Sequence, residues 1–355
     1  MKKIALLTDL HFGAMNDSDI MLNHQRQFFD GCFFPYMKEH NIDTIVSLGD
    51  TFHKRKNINF NTLKKCREFF FDVIIDNNYK FYDIIGNHNL YFKNVNDVNS
   101  PELLFSNYEN INIISDAKEV KFGNLNVLML PWINKDNNKK CFDAIKRTKS
   151  DYLFGHFEVS GVELYKGATF KCGTDINVFK KFEMVFSGHY HIKTKIGNFF
   201  YIGTPYDMDM ADCDHEKGFY ILDTDTKSLE FIKNPYTLFS KIEYDDEKIE
   251  LTSLKNKIVK IILNKQPDFK KYDKFISSLK EMALELRIDE RYLLKSADDD
   301  TTEEFDLEST DFLGLLNLYI NDVYDSAEDQ KDDLIEILTE VYKSAKEIQT
   351  EKGKW

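Results

Sequence analysis

The stretch Ile4-Ala5-Leu6-Leu7-Thr8-Asp9-Leu10-His11 runs four apolar residues into a carboxylate and an imidazole two positions apart. A short apolar run bounded by polar residues predicts a buried strand, and the ends of such strands are where an α/β sheet displays its ligands. The same pattern recurs four times. Thr44 to Leu48 precedes Gly49-Asp50, Phe81 to Ile85 precedes Gly86-Asn87-His88, Tyr152 to Phe154 precedes Gly155-His156, and Met184 to Phe186 precedes Gly188-His189-Tyr190-His191. Together the five segments predict one site assembled from loops at a sheet edge.

The side chains themselves indicate the chemistry. Carboxylate, amide oxygen and imidazole together suit a divalent ion of intermediate hardness, Mn²⁺, Fe²⁺ or Zn²⁺, whereas Mg²⁺ rarely recruits several histidines. The candidates Asp9, His11, Asp50, Asn87, His156, His189 and His191 suffice for two ions if one carboxylate bridges. Two such ions, roughly 3.5–4 Å apart, bind a bridging water, lower its pKa and clamp phosphate oxygens for in-line attack. His88, next to Asn87, is placed to donate a proton to the leaving alkoxide or to stabilise charge building on the phosphate. A lone histidine or a lone Gly-Asp means little, and His24, His40 and His215 read as ordinary residues. The ordered set is different, because six of the nine histidines (11, 53, 88, 156, 189 and 191) fall on it.

Composition sets the bounds. A chain of 355 residues with 42% hydrophobic content has room for two or three domains and a sizeable core. Thirty Phe and 18 Tyr predict a core or an interface rich in aromatic rings. No apolar run approaches a membrane span and Ile4 to Leu7 is too short for a signal peptide, so a cytoplasmic location without membrane contact is expected. The five cysteines (Cys32, Cys66, Cys141, Cys172, Cys213) are scattered and form no C-x-x-C pair, which predicts reduced thiols. The net charge of −13 is unevenly spread, with −2 over residues 1–235 and −11 over 236–355. The front part carries the basic clusters Lys54-Arg55-Lys56, Lys64-Lys65-x-Arg67, Lys180-Lys181 and Lys193-x-Lys195. Lys54, Arg55, Lys56 and Lys193 lie near the predicted site and are candidates to track a phosphate backbone.

The coarse pattern alternates strand and helix: strand Ile4 to Thr8, helix Asn23 to Glu39, strand Thr44 to Leu48, helix Thr62 to Asp76, strand Phe81 to Ile85. A short helix near Pro101 is followed by strands at Asn112 to Ser115, Glu119 to Phe122 and Leu125 to Leu130, with Gly123-Asn124 as the hairpin turn. More strands are expected at Phe199 to Ile202, Gly218 to Asp223 and Leu229 to Ile232. A mixed two-sheet sandwich flanked by helices accommodates this better than one parallel sheet. Past Pro235, a strand from Lys257 to Leu263 and a helix from Asp268 to Leu286 suggest a small α+β unit over 236–295. Residues 296–310 are too acidic and too poor in apolar residues to pack alone, and read as a linker. From 311 to 355, apolar residues three and four apart (Phe312, Leu316, Tyr319, Val323, then Leu334, Leu338, Val341, Ala345, Ile348) predict a helical hairpin. Its apolar stripe must be buried against something, and the linker before it favours a partner over the chain's own core.

The series Asp9-x-His11, Gly49-Asp50-x-x-His53, Gly86-Asn87-His88, Gly155-His156 and Gly188-His189-x-His191 resembles the calcineurin-like metallophosphoesterases. Among them it is most similar to the DNA-repair nucleases of the SbcD type, including those of T-even phage recombination. The likeness extends to Tyr91-Phe92-Lys93-Asn94-Val95, Gly155-His156-Phe157-Glu158, Tyr165-Lys166-Gly167 and Tyr201-Ile202-Gly203-Thr204-Pro205. It rests on motifs over residues 1–235 and on helical pattern alone beyond them.

That resemblance implies that Asp9, His11, Asp50 and His191 hold one metal, that Asp50 bridges, and that Asn87, His156 and His189 join it on the second. It implies His88 in transition-state work, with His53 supporting it or the DNA phosphate; relatives acting on phosphoproteins often carry an acidic residue at the latter position. The family's Gly-Asn-His usually continues with Asp or Glu, and here the residue is Asn89. The resemblance further implies a four-layer α/β/β/α sandwich over 1–235, a capping domain, and a C-terminal helical segment that docks on an SbcC-like coiled-coil ATPase. A homodimer within a heterotetramer is also implied, with the Phe69-Phe70-Phe71 helix as a candidate contributor. The expected activity is that of a Mn²⁺-dependent DNA nuclease subunit, in the host cytoplasm if phage-encoded. Two rivals are a phosphatase or phosphodiesterase for small molecules or phosphoproteins, and a catalytically weak scaffold that recruits the ATPase.

Overall fold

The apolar run after the N-terminus forms the strand β1 (Lys3–Leu7), followed by β2 (Thr44–Ser47), β3 (Lys80–Ile84) and β4 (Ile111–Ile114). These four lie parallel and side by side. A hairpin of β5 (Lys118–Phe122) and β6 (Leu125–Leu130), turning at Gly123, leads to β7 (Tyr152–His156). Four short strands come next: β8 (Val159–Ser160), β9 (Glu163–Tyr165), β10 (Ala168–Thr169) and β11 (Thr174–Asp175). The chain continues through β12 (Met184–Gly188), β13 (Thr194–Ile196), β14 (Phe199–Tyr201), β15 (Gly218–Asp223) and β16 (Leu229–Lys233). In this computed structural model the described residues are 3–160, 173–245 and 249–290, the backbone of 163–165 and 168–169, and Lys331.

Two six-stranded sheets result, in the orders β16-β15-β1-β2-β3-β4 and β13-β14-β12-β7-β6-β5. The alternation of side chains along β1 explains how they stack, because successive residues of a strand point to opposite faces. Ile4 and Leu6 join Val46, Ile84, Met129, Phe154 and Phe186 in a core between the sheets. Ala5 and Leu7 face the other way, onto a second core with Phe28, Phe29, Phe33, Phe69, Phe70 and Phe71. A third core, with Leu153 and Val185 against Cys141 and Ile145, covers the outer face of the second sheet. The architecture is therefore the expected helix, sheet, sheet, helix sandwich.

Aromatic residues fill the helical layer. The helices Asp19–Phe28 and Phe34–Glu39 are continuous through a wide π-type segment, Phe29–Phe33, and Phe60–Cys66 joins Asp72–Asp76 through another, Arg67–Phe71. Phe69, Phe70 and Phe71 are all buried, at 1%, 0% and 0% exposure. Three consecutive buried residues on one wide turn cannot all point the same way, so this helix is enclosed on more than one side. The triplet is core and is not a surface for a second subunit. A helix at Asn138–Arg147, which the coarse pattern did not predict, covers the second sheet.

Beyond residue 235 lie β17 (Phe239–Glu243), β18 (Ile258–Ile262), a helix at Phe269–Lys280 and β19 (Glu285–Asp289), with sheet order β17-β18-β19. The helix stops six residues before the expected Leu286. There the backbone is claimed by neighbouring chain, since Asn256 N–H donates to Met282 O (2.9 Å) and Leu284 N–H to Lys257 O (2.9 Å). Leu238, Phe239 and Ile258 belong to the same buried core as Phe28 and Phe70.

By compactness the chain divides into Met1–Ile242 with Lys248–Ile261 and Asp273–Arg287, and a second unit of Glu243–Glu247, Ile262–Tyr272 and Ile288–Trp355. Within the second unit, Tyr244 N–H donates to Ile262 O at 3.0 Å. The acidic segment 296–310 and the helical hairpin of 311–355 lie outside the described residues. Four of the cysteines, Cys32, Cys66, Cys141 and Cys213, are free thiols; Cys172 lies outside the described residues. Among the described residues no helix is long and apolar enough to cross a membrane.

Candidate metal centre

Strand register brings the predicted loops together. Leu7 pairs with Ser47 and Ser47 with Asp83, so β1, β2 and β3 leave their sheet at one level, while His156 pairs with Gly188 at the ends of β7 and β12. Past the strands, the first two loops stay zipped: Asp9 N–H donates to Gly49 O, His11 N–H to Asp50 O and Phe12 N–H to Thr51 O, each at 2.9 Å. The backbone is strained there. Asp9 (φ 50°), His11 (φ 45°), Asp50 (φ 56°) and His189 (φ 90°) all occupy the left-handed region. Each such residue costs on the order of 1–3 kcal/mol, and strain of this kind collects where function dictates side-chain direction. Glycine clears the space: a methyl on Gly86 would overlap the Asp50 carboxylate, and one on Gly188 would overlap Thr8 Oγ1.

Two ligand groups are present around one carboxylate. On one side, His11 Nε2 lies 3.7 Å from Asp9 Oδ1, 3.9 Å from Asp50 Oδ2 and 3.2 Å from His191 Nε2. On the other, His156 Nε2 lies 3.2 Å from Asp50 Oδ2 and 3.0 Å from Asn87 Oδ1, which is 3.1 Å from His189 Nδ1. Asp50 faces both groups, as a bridging residue must. The sequence candidates thus converge in full, and Asp9, Asp50 and His156 are almost wholly buried.

The residues fit a cation. Asp9 Oδ2 is held by Thr8 Oγ1 (2.7 Å) and His189 N–H (3.0 Å), but Asp9 Oδ1 is a buried oxygen without a hydrogen-bond partner, surrounded by imidazoles. A buried carboxylate oxygen is seldom left so, because the desolvation cost is uncompensated. The charges are mutually adjusted. Burial alone would raise the Asp9 and Asp50 carboxyls, yet the neighbouring histidines outweigh it, holding Asp9 far below the usual carboxylate range and Asp50 down to about 2. Burial alone would lower His156, but Asp50 lifts it to about 9, while burial pushes His189 down to about 4. A cation between the groups would take over the role of that His156 proton.

The ring orientations are set from behind. His156 Nδ1 hydrogen-bonds Leu48 O at 2.8 Å, leaving Nε2 for the centre, which is the arrangement that fixes a ligating tautomer. His88 N–H donates to Asp50 Oδ1 (2.7 Å), and His88 Nδ1 hydrogen-bonds His53 O (2.6 Å), so its Nε2 remains available. His53 and His88 rings stack 5.4 Å apart, and burial pushes His53 down to about 4. Both therefore border the centre, with His53 Nδ1 3.3 Å from His11 Nδ1.

Several supporting residues carried no sequence signal. Lys217, buried, donates to His191 O (2.9 Å), Thr204 Oγ1 (2.8 Å) and Asp212 Oδ1 (2.5 Å), and so braces the His191 loop. Trp132, reached by backbone past β6, lies 5.1 Å from the His189 ring and 5.9 Å from the His156 ring. Asn89, where the family usually has Asp or Glu, ties two of the loops together. Its Oδ1 accepts from both Asp50 N–H (3.0 Å) and Gly86 N–H (2.9 Å).

The basic candidates are placed less uniformly. Lys54 Nζ is paired with Asp17 at 2.5 Å, and Lys193 Nζ with Glu216 at 2.7 Å. Lys56 sits 5.8 Å over the Tyr91 ring, and Arg55 lines a surface groove with it.

The calcineurin-like phosphoesterase family model matches residues 2–193. Exonuclease subunit 1 of Enterobacteria phage T4 is 30% identical over 346 residues, spanning 97% of this chain and 99% of that protein. Among solved structures, a dimetal phosphatase from Danio rerio matches 66% of this chain and 97% of its own at 10% identity, with a TM-score of 0.41. An archaeal phosphodiesterase matches 65% of this chain and 99% of its own at 14% identity, with a TM-score of 0.35.

Proposed function

The chain belongs to the calcineurin-like phosphoesterases, hydrolases with a dinuclear metal centre, and from that premise we propose that it is a Mn²⁺-dependent DNA nuclease subunit. The observation that carries this reading is the match to a phage exonuclease subunit along 97% of the chain, far past the phosphoesterase region that ends at residue 193. In this reading Asp9, His11, Asp50 and His191 would hold one ion, and Asn87, His156 and His189 would share Asp50 in holding the second. When bound, the ions would supply a water of lowered pKa and neutralise phosphate charge.

The chain's own residues do the rest. Asp50 is oriented by the His88 N–H, and His88, anchored through Nδ1 to His53 O, keeps Nε2 to exchange a proton with the leaving oxygen. His53 acts as a positioning residue behind it. The four-residue basic set Lys54, Arg55, Lys56 and Lys193 stands as a proposed phosphate contact, although Lys54 and Lys193 must first exchange a carboxylate partner for the phosphate.

The assembly is likewise proposed: a cap from 236–295, and a segment from 311–355 that binds an SbcC-like coiled-coil ATPase. A homodimer finds support not in Phe69 to Phe71 but in apolar residues that remain exposed, Phe60 at 87% and Leu103 at 74%. Both line one surface groove of about 230 Å³ with Tyr91 and Val98.

The test is hydrolysis of end-labelled single- and double-stranded DNA by the purified chain with Mn²⁺, with Mg²⁺ and with chelator, against nucleotide monoesters. Mn²⁺-dependent DNA cleavage, absent in Asp50→Asn, is expected. Turnover of monoesters in preference to DNA would replace the nuclease with a phosphatase.

A further inference from the structure

Two cavities meet at Trp132. One, of about 480 Å³, reaches the metal centre at His156 and is bordered by Glu158 and Asp175. The other, of about 510 Å³, is lined by Lys93, Lys135, Asn94, Asn134 and Asn138, with no acidic residue in its wall. Trp132, Ile133 and Asn138 belong to both walls. The half-buried indole thus has one flank on the His189 and His156 rings and borders a groove lined by lysines and asparagines.

The lysines of this groove differ from those near Lys54 and Lys193. Lys93 and Lys135 are exposed, and neither has an ion-pair partner among the described residues. An unpaired ammonium is free to neutralise a phosphate and release its counterion; a lysine already in a salt bridge gains little by exchanging one anion for another. A flat aromatic ring flanked by free cations is the combination that binds single-stranded nucleic acid, in which unpaired bases stack and the backbone is tracked by charge.

Resting on the nuclease reading above, we propose that Trp132 stacks a base of the DNA strand being cut, while Lys93 and Lys135 hold the flanking phosphates. The strand then enters along the Lys93–Lys135 groove and passes Trp132 to reach the metals. Stacking requires an unpaired base, so the groove accepts single strands or frayed duplex ends and excludes intact duplex at this point. Trp132 is a substrate-binding residue in this scheme and takes no part in proton transfer.

The chain has two tryptophans, Trp132 and Trp355, so Trp355→Phe makes Trp132 the sole reporter. With chelator present to block cleavage, oligodeoxythymidylate is titrated while tryptophan emission is recorded, and binding of the fluorescein-labelled oligomer is followed in parallel by anisotropy. Saturable quenching with the same Kd as the anisotropy is expected. Changing both Lys93 and Lys135 to Gln should weaken binding and make the slope of log K against log salt shallower by about 1.4, at roughly 0.7 per phosphate contact. Trp132→Ala should raise Kd and KM roughly 5- to 100-fold, the size of one stacking contact, with kcat and calorimetric metal affinity little changed, and Trp132→Phe should retain most of the affinity.

Anisotropy that saturates without quenching, or Kd and KM within twofold in Trp132→Ala, would overturn the inference and leave the nuclease reading standing. Loss of metal affinity in Trp132→Ala with unchanged oligomer affinity in the same variant would reduce the indole to a wall for His189, also overturning it. Neither binding nor cleavage of DNA would overturn both.

Discussion

Asn89 offers a quantitative test of how the metal loops are held. Its side-chain oxygen is the acceptor for two buried backbone donors, Asp50 N–H at 3.0 Å and Gly86 N–H at 2.9 Å. These sit on the loops that carry Asp50 and Asn87. Asn89→Ala removes the one acceptor of both bonds in a position with 0% exposure, where water cannot substitute without a rearrangement. An unsatisfied buried donor costs about 1–3 kcal/mol, so the variant should lose roughly 2–6 kcal/mol of unfolding free energy. Because the lost bonds orient ligand loops, metal affinity should fall about 10- to 100-fold as well. Asn89→Asp separates the two effects. It keeps the oxygen that accepts both bonds and removes an amide nitrogen, Nδ2, that has no partner, but it adds a carboxylate beside Asp50. Burial raises the carboxyl of Asp83, which accepts from Thr51 Oγ1 at 2.8 Å, to about 7, and the same desolvation would act on a new carboxylate at position 89. Asn89→Asp should therefore be destabilised without metal and recover on adding Mn²⁺, whereas Asn89→Ala should not recover. Urea unfolding with and without Mn²⁺, with calorimetric metal titration, reads both quantities. An Asn89→Ala protein within 1 kcal/mol of wild type, with unchanged metal affinity, would refute the bracing role.

Other expectations are simpler. His88→Ser should bind metal as wild type does and lose about 10²- to 10⁴-fold in kcat on DNA, the range for a lost acid–base group; steady-state kinetics beside a metal titration checks this. Phe60→Asp with Leu103→Asp should shift a homodimer to monomer in sedimentation velocity without lowering the melting temperature, since both side chains are exposed. His24, buried and without a partner at Nε2, is pushed by burial from 6.5 to about 4. Its folded form is neutral while the unfolded form takes a proton below about 6.5, so its contribution to stability is complete above that pH and is lost as pH falls toward 4. The loss amounts to roughly 3 kcal/mol. His24→Leu should flatten the stability profile between those limits by that amount, and an unchanged slope in urea titrations would refute it.

The strands and the candidate metal ligands are legible because both are local patterns. A ligand at the end of each apolar run is a pattern of consecutive residues, and β6 and β15 run over the very residues expected, Leu125–Leu130 and Gly218–Asp223. Helix ends were less legible. The Phe269–Lys280 helix ends where Leu284 and Met282 find backbone partners on distant chain, which no local propensity encodes. The Phe69 to Phe71 triplet could face a partner or a core by sequence alone, and burial on several sides decided for the core.

The phosphoesterase family, the layered α/β architecture and the set of candidate ligands can all be read from the sequence, since these depend on residue type, spacing and strand periodicity. The packed chain alone reveals that Asp50 stands between the two candidate ligand groups, that Asn89 ties the Asp50 and Gly86 loops, that Lys217 braces His191, and that Trp132 borders both the centre and a basic groove. Each of these depends on distances between residues far apart along the chain, from Asp50–His156 to Trp132–His189, and such distances are set by sheet register and core packing.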